Sequence, residues 1–296
     1  MKGVSIVIPT YNRERFISEA IESVLRQEFD REIEIIVTDD GSSDETLNIA
    51  KSFGNQVKVI NKPKDCTTQG PSGTRNRGIA AATMPYLCFL DSDDFYLPEH
   101  LKKMISALES LPDFGFAFCK ILEMQDNSSP KLFRLWSKEK ITPRDIAHLI
   151  ISKHNVIQTN GFIFKTEVFK SVGVFDESIN HAEDIDLWMR ISEKYRGCFS
   201  NHYGAVIRKH DVGQLTNRPK ESLLKLQYTV FAQALKRYHS LNLNNKYRRL
   251  KLVYITTYYK VMQFPILTHF FVKLYRYKAK KEIQPASWFA LDHFLP

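Results

Sequence analysis

At 296 residues the chain can bury a full core, and 43% hydrophobic with 25% charged residues excludes an intrinsically disordered protein. Four scattered cysteines (Cys66, Cys88, Cys119, Cys198) form no CxxC pair, which excludes a disulfide scaffold and points to reduced thiols in a cytosolic compartment. The formal charge of +9 is concentrated: residues 217–296 hold 15 Lys+Arg against 3 Asp+Glu, together with 15 aromatic residues, while the remainder is mildly acidic.

Short apolar strands alternate with amphipathic helices from the start. Strands are expected at Val4–Pro9, Ile33–Thr38, Val57–Ile60 and Tyr86–Leu90. Phe16, Ile17, Ala20, Ile21, Val24 and Leu25 recur at helical spacing between the first two. Ser43-Asp44 reads as an N-cap for a short helix through Ala50, and Gly73–Ala82 as a third helix. A helix follows Pro98 to about Ser110, then a strand over Phe114–Cys119, an irregular polar region from Asp126 to Pro143, a strand at Gly161–Phe164, a helix over Ile185–Lys194 and a strand at Tyr203–Arg208. This rhythm predicts an α/β fold whose mostly parallel sheet is covered on both faces. Leu223–Lys280 is helical by pattern, with an interruption near Pro265, and Asn217–Pro219 is the expected boundary. No apolar stretch reaches the length of a transmembrane helix, and Lys2-Gly3 leads straight into the first strand, so neither a span nor a leader is expected.

Four segments carry chemistry. Asp91-Ser92-Asp93-Asp94 places three carboxylates at the end of an apolar strand, the edge where open α/β sheets bind ligands. Carboxylates this close repel unless a cation sits among them, and oxygen donors suit Mg²⁺ or Mn²⁺ completed by substrate phosphates. The same acids also fit a solvated turn that caps the next helix. Asp39-Asp40-Gly41-Ser42 repeats the arrangement after a second strand, fit either for a base or ribose contact or for capping. Gly70–Gly78 is a Gly-rich turn entering a helix with Arg75 and Arg77, suited to a diphosphate or to plain solvation. His181-Ala182-Glu183-Asp184 opens a helix with acids; Asp184 is either a cap or a general base, and Trp188 one turn on offers an apolar face to a sugar ring.

In this order the segments resemble the family 2 glycosyltransferases of the GT-A fold, over roughly residues 3 to 215. Ser5–Asn12 looks like the family's opening strand and turn, which places Pro9, Thr10 and Tyr11 at the donor. The resemblance implies that Asp40 contacts the base, that Arg75 lies near the nucleotide, and that Asp91-Ser92-Asp93 is the Asp-x-Asp motif, with Asp91 towards the ribose and Asp93 on Mn²⁺ or Mg²⁺. It implies further that Glu183-Asp184 is the acidic pair whose aspartate is the catalytic base, and that His210 falls where some members supply a metal ligand. Residues 1–216 would then form a Rossmann-like GT-A catalytic domain and residues 217–296 a basic, aromatic, helical extension. The implied reaction is inverting transfer of a hexosyl or N-acetylhexosaminyl group from a nucleotide-sugar, with UDP the default, to a glycan or lipid-linked glycan hydroxyl in cell-surface polysaccharide synthesis.

Tyr247, Leu250, Tyr254, Tyr258 and Val261 share one helical face beside Arg248, Arg249 and Lys251, which fits either an anionic membrane surface on the cytoplasmic side or packing on the domain or a second copy. Two other functions compete. Nucleotidyl transfer to a sugar phosphate is disfavoured because the turn around Gly70, similar to the Gly-x-Gly-Thr-Arg of sugar nucleotidylyltransferases, arrives two strands late. A non-catalytic nucleotide-sugar-binding protein is disfavoured by intact motifs. No recognisable nucleic-acid module accompanies the basic charge, so nucleic acid is not an expected partner.

Overall fold

The computed structural model describes residues 3–66, 70–125, 131–132, 158–179, 182–210 and the single positions 230, 233 and 234. The expected irregular region over 126–143 lies outside the described residues except for 131–132, which form a short strand, and His181 and nearly all of the basic extension also lie outside them.

The chain opens with strand β1 (Val4–Thr10), helix α1 (Ile17–Leu25), strand β2 (Ile33–Asp39), helix α2 (Thr46–Ser52), strand β3 (Val57–Ile60), helix α3 (Pro71–Ala81) and strand β4 (Tyr86–Phe89). It continues through β5 (Phe95–Tyr96), α4 (His100–Glu109), β6 (Phe114–Gln125), β7 (Lys131–Leu132), β8 (Phe162–Lys165), α5 (Glu167–Val172), α6 (Glu183–Lys194) and β9 (Arg196–Lys209). The strands form one sheet in the order β3-β2-β1-β4-β8-β6-β9-β5, with β7 on β6. Most paired residues are in parallel register, through β1 with β2 and β4, β2 with β3, and β6 with β9. The pairings of β4 and β6 with β8, β5 with β9 and β6 with β7 are short and antiparallel.

The parallel half follows directly from the sequence. β1 is an apolar run with almost no solvent contact, as a parallel strand covered on both faces should be. Ile17, Ala20, Ile21 and Val24 of α1 meet that sheet at i, i+3, i+4 and i+7. On this side the core joins them to Ile6, Ile8, Ile35, Val37, Leu101 and Met104. The other side is aromatic: Phe89, Phe116, Phe162, Phe164, Phe169, Phe175 and Trp188 touch ring to ring.

Several boundaries moved for identifiable reasons. α3 starts at Pro71 because proline's fixed φ suits the first helical position, and Gly70 before it takes φ 107. α2 starts at Thr46, whose amide and hydroxyl both donate to Asp44 Oδ1. β6 and β9 run well past their expected ends because each supplies the other with a ladder over polar residues such as Lys120 and Glu123. That ladder is irregular: Cys119 pairs with Ser200, Lys120 with Tyr203 and Ile121 with Ala205, so Asn201, His202 and Gly204 are extra residues in β9.

Candidate active site

The register of Thr10 against Asp39, and the bond from the Leu90 amide to the Val7 carbonyl, bring the ends of β1, β2 and β4 to one edge. A cavity of about 500 Å³ opens there, lined by Pro9, Thr10, Tyr11, Arg13, Asp40, Gly70, Thr74, Arg75, Asp91, Ser92, Asp93, Asp94, Gln158, Ile207 and Lys209 among others. Its size suits a ligand larger than a single sugar. Thr10 Oγ1 and Arg75 Nε are buried at its wall without hydrogen-bond partners among the described residues.

The two aspartates after β2 divide their work. Asp39, 1% exposed, accepts bonds from the Gly41 and Ser42 amides and the Ser42 hydroxyl, which folds the turn. Asp40 faces the cavity, with Lys62 Nζ at 3.2 Å and Arg77 Nη2 at 3.6 Å from Oδ1, and its Oδ2 accepts the Gly70 amide at 2.8 Å. Asn12, at φ 51, joins the β1 turn to this one: its amide donates to Ser42 Oγ and its side-chain oxygen accepts the Ser43 amide.

The carboxylates after β4 also separate. Asp94 is fastened to the frame, accepting the Arg208 amide at 2.8 Å and Asn160 Nδ2 at 2.5 Å, and Asn160 Oδ1 in turn accepts the Asp91 amide. Burial, then the charges of Asp93 and Asp91, push the Asp94 carboxyl well above its usual range. Asp91 is also raised, by burial first, against the opposing pull of Arg75. Asp93 Oδ2 has Arg13 Nε at 3.2 Å and His210 Nε2 at 3.1 Å, and the His210 ring lies 4.5 Å from that of Phe16.

Arg75 joins the motifs. Its Nη2 donates to Asp91 at 2.8 Å and its Nη1 to Glu183 at 2.9 Å, with the guanidinium over the Phe175 ring. Arg75 thus bridges Asp91 to Glu183 with one bond from each terminal nitrogen, while its Nε has no partner among the described residues. Asp184 follows Glu183 at the start of α6, after Ala182 in the left-handed region at φ 62. Its carboxyl is pushed up to about 7 by withdrawal from water and then by the Glu183 charge, while Arg75 pulls it back.

Trp188 requires a correction. It is 2% exposed, its ring stacked on Phe164 at 4.8 Å and tilted against Phe162 at 4.8 Å, so it closes the aromatic core and offers no face to a sugar. Of the other expected residues, Pro9, Thr10, Tyr11, Asp40, Arg75, Asp91, Ser92 and Asp93 line the cavity, Glu183 and His210 bond to lining residues, and Asp184 lies outside the lining beside Glu183. Missed by the sequence reading were Arg13, Asn160, Gln158 and Lys209. Arg13 alone left a visible signal, as a basic residue directly after the first strand's turn.

A family model described as Glycosyl transferase family 2 matches residues 5–173. The chain belongs to this family. An uncharacterized glycosyltransferase of Rickettsia typhi is 34% identical to this glycosyltransferase over 222 residues, covering 72% of the chain and 66% of that relative. One of Methanocaldococcus jannaschii is 26% identical over 201 residues, covering 68% of the chain and 66% of the relative. The chain therefore spans a little under two thirds of these relatives' lengths. Among solved structures, S. aureus TarS residues 1–349 with UDP-GlcNAc superposes with a TM-score of 0.67 at 21% identity, over 89% of this chain and 73% of that one. The mannosyltransferase PcManGT of Pyrobaculum calidifontis, with GDP-Man and Mn²⁺, superposes at 0.55 with 16% identity, over 98% and 85%. The family 2 glycosyltransferase fold is thus the GT-A type, an α/β sheet flanked by helices.

Proposed function

We propose that this glycosyltransferase transfers a sugar, with inversion, from a UDP-sugar to a hydroxyl of a glycan or lipid-linked glycan, in the synthesis of a surface polysaccharide. One observation carries the proposal: Asp184, held near pH 7 in its proton affinity, stands beside the Arg75 clamp that ties Glu183 to the Asp91 edge of the donor cavity.

Asp40 and the α3 N-terminus receive the nucleotide. The Asp40 carboxylate suits a uracil N–H, and the amides of α3 together with Arg13 and Lys209 suit the diphosphate. Asp91 faces the ribose. Asp184 removes the acceptor hydroxyl's proton as its oxygen attacks the anomeric carbon from the side opposite the leaving diphosphate. A single displacement needs one base and inverts the centre. Glu183 accepts Arg75 Nη1 at 2.9 Å and holds the helix start that carries Asp184.

The residues fit a divalent cation. Asp93 Oδ2 and His210 Nε2 are an oxygen and a nitrogen donor 3.1 Å apart, and the Arg13 cation already shares Asp93. They would hold Mn²⁺ or Mg²⁺, with substrate phosphates completing its shell, and the ion would neutralise charge on the departing diphosphate.

The test pairs two variants. Asp184→Asn is expected to lose transfer by about 10²–10⁴-fold while keeping nucleotide affinity. Asp93→Ala is expected to abolish the Mn²⁺-dependent thermal shift given by UDP in a panel with GDP, CDP and dTDP. Transfer persisting in Asp184→Asn would overturn the base assignment, and an unchanged shift in Asp93→Ala would overturn the metal ligand.

A further inference from the structure

Three ligand-type side chains converge outside the donor cavity. His100 is the first residue of α4, Cys119 lies mid-way along β6, and His202 lies in β9. His100 Nδ1 stands 3.9 Å from Cys119 Sγ and 3.4 Å from His202 Nε2, and the three ligand atoms all lie within 4.8 Å of one another. We propose that Cys119 Sγ, His100 Nδ1 and His202 Nε2 form a binding site for Zn²⁺, separate from the donor-site cation.

The spacing fits the ion. Zinc held tetrahedrally at about 2.0–2.1 Å from nitrogen and about 2.3 Å from sulfur separates two nitrogens by about 3.3 Å and nitrogen from sulfur by about 3.6 Å. The two edges at His100, 3.4 and 3.9 Å, lie within a few tenths of an ångström of these, and the third is no longer than 4.8 Å. Hydrogen bonding alone serves the cluster less well. His202 Nδ1 is 2.8 Å from Ser200 Oγ, a contact that sets the ring and leaves Nε2 turned to His100. One nitrogen, His100 Nδ1, then faces both the thiol and the second imidazole, and a cation among them satisfies all three groups at once. Burial supports this, pushing the His100 imidazole well below its usual value and His202 to about 4, so both rings are neutral, as metal ligation requires. The Cys119 thiol is pushed up by burial and would give its proton to solvent when the ion binds.

Local structure is shaped around the cluster. His202 is one of the two extra residues opposite Cys119 and Lys120, a bulge that turns its side chain inwards, and Gly204 is the next extra residue. A Cβ at Gly204 would stand 2.1 Å from His100 Nδ1 and 2.6 Å from Cys119 Sγ, so only glycine leaves room for the three groups to meet. Along β9, His202 and His210 are separated by about 26 Å at roughly 3.3 Å per residue. Zinc here would fasten β9 to α4 and β6 at one end, while Ile207, Lys209 and His210 serve the donor cavity at the other.

The experiment uses the full chain, stripped with a chelator and titrated with Co²⁺ and with Zn²⁺. One equivalent of Co²⁺ is expected to give a thiolate-to-metal charge-transfer band in the parent and in Asp93→Ala. The band should disappear in Cys119→Ser, and His202→Gln should weaken affinity at least tenfold. Zn²⁺ should raise the melting temperature of the parent and of Asp93→Ala, but not that of His202→Gln. Because His202 is partly exposed, that variant decides the matter if Cys119→Ser does not fold. Absence of the band in the parent would overturn the proposal, as would undiminished affinity in His202→Gln or loss of binding in Asp93→Ala alone.

Discussion

At the scale of single residues, the site contrasts carboxylates that are held with carboxylates that are free to act. Asp39 spends its oxygens on the turn it closes and Asp94 on the Arg208 amide and Asn160 Nδ2, while Asp40, Asp93 and Asp184 each have a cationic side chain nearby. The sequence presents both kinds as adjacent identical letters, and only the family resemblance singled out Asp40, Asp93 and Asp184 among them. As the proposed base, Asp184 must be deprotonated to accept a proton, so kcat/KM is expected to rise with pH and level off above about 7, falling about tenfold per unit below it. A profile flat between pH 5 and 8 would contradict this. The same shift has a sign for stability. The folded carboxyl sits above its ordinary value of 3.8, so its protonated form favours folding, and that contribution fades as pH rises through about 7. Asp184→Asn is therefore expected to melt no lower than the parent at pH 8, a separation of activity from stability that thermal denaturation checks.

At the scale of elements, one close contact fixes where α3 stands. α3 is carried against β1 by Gly78, where an added Cβ would meet Val7 Cγ1 at 2.2 Å. Gly78→Ala is thus expected to destabilise by about 1–3 kcal/mol in urea denaturation, despite alanine's better helix propensity, because α3 must move off the sheet. Donor affinity should fall with it, since Thr74 and Arg75 ride on the same helix. α6 shows why spacing misled. Trp188 is one turn from Asp184 and so shares its side of the helix, but Asp184 sits half-buried in the first turn near Arg75 and Trp188 where the helix enters the aromatic core. Trp188→Phe is expected to lower the melting temperature while leaving KM unchanged. A tenfold rise in KM for donor or acceptor, about 1.4 kcal/mol, would return the ring to substrate contact. Strand and helix existence was legible from periodicity, whereas β5, β7 and α5 were too short to leave a period, and the bulges of β9 depend on β6 rather than on local sequence.

At the scale of the whole molecule, the first ninety residues were legible almost to the residue, because each parallel strand is an apolar run between clear turns. The second half was not, since its strands owe their length to partners far away: Asn160 reaches the Asp91 amide across 69 positions and leaves no local trace. The basic extension is proposed to dock on an anionic membrane or lipid-linked acceptor, and removal of residues 217–296 is expected to abolish pelleting with anionic vesicles at low salt. Equal pelleting of both chains would refute that role. Among the described residues no helix is long and apolar enough to cross a membrane. The late position of β9 also bears on synthesis. Asp93 and Asp94 are made 117 and 114 residues before the His210 and Arg208 groups that hold them. At roughly 5–20 residues per second, the ribosome leaves that turn unfastened for about 6–23 s. A nascent chain halted in that interval carries the complete acid turn without β9, the last strand among the described residues and the one whose end holds that turn.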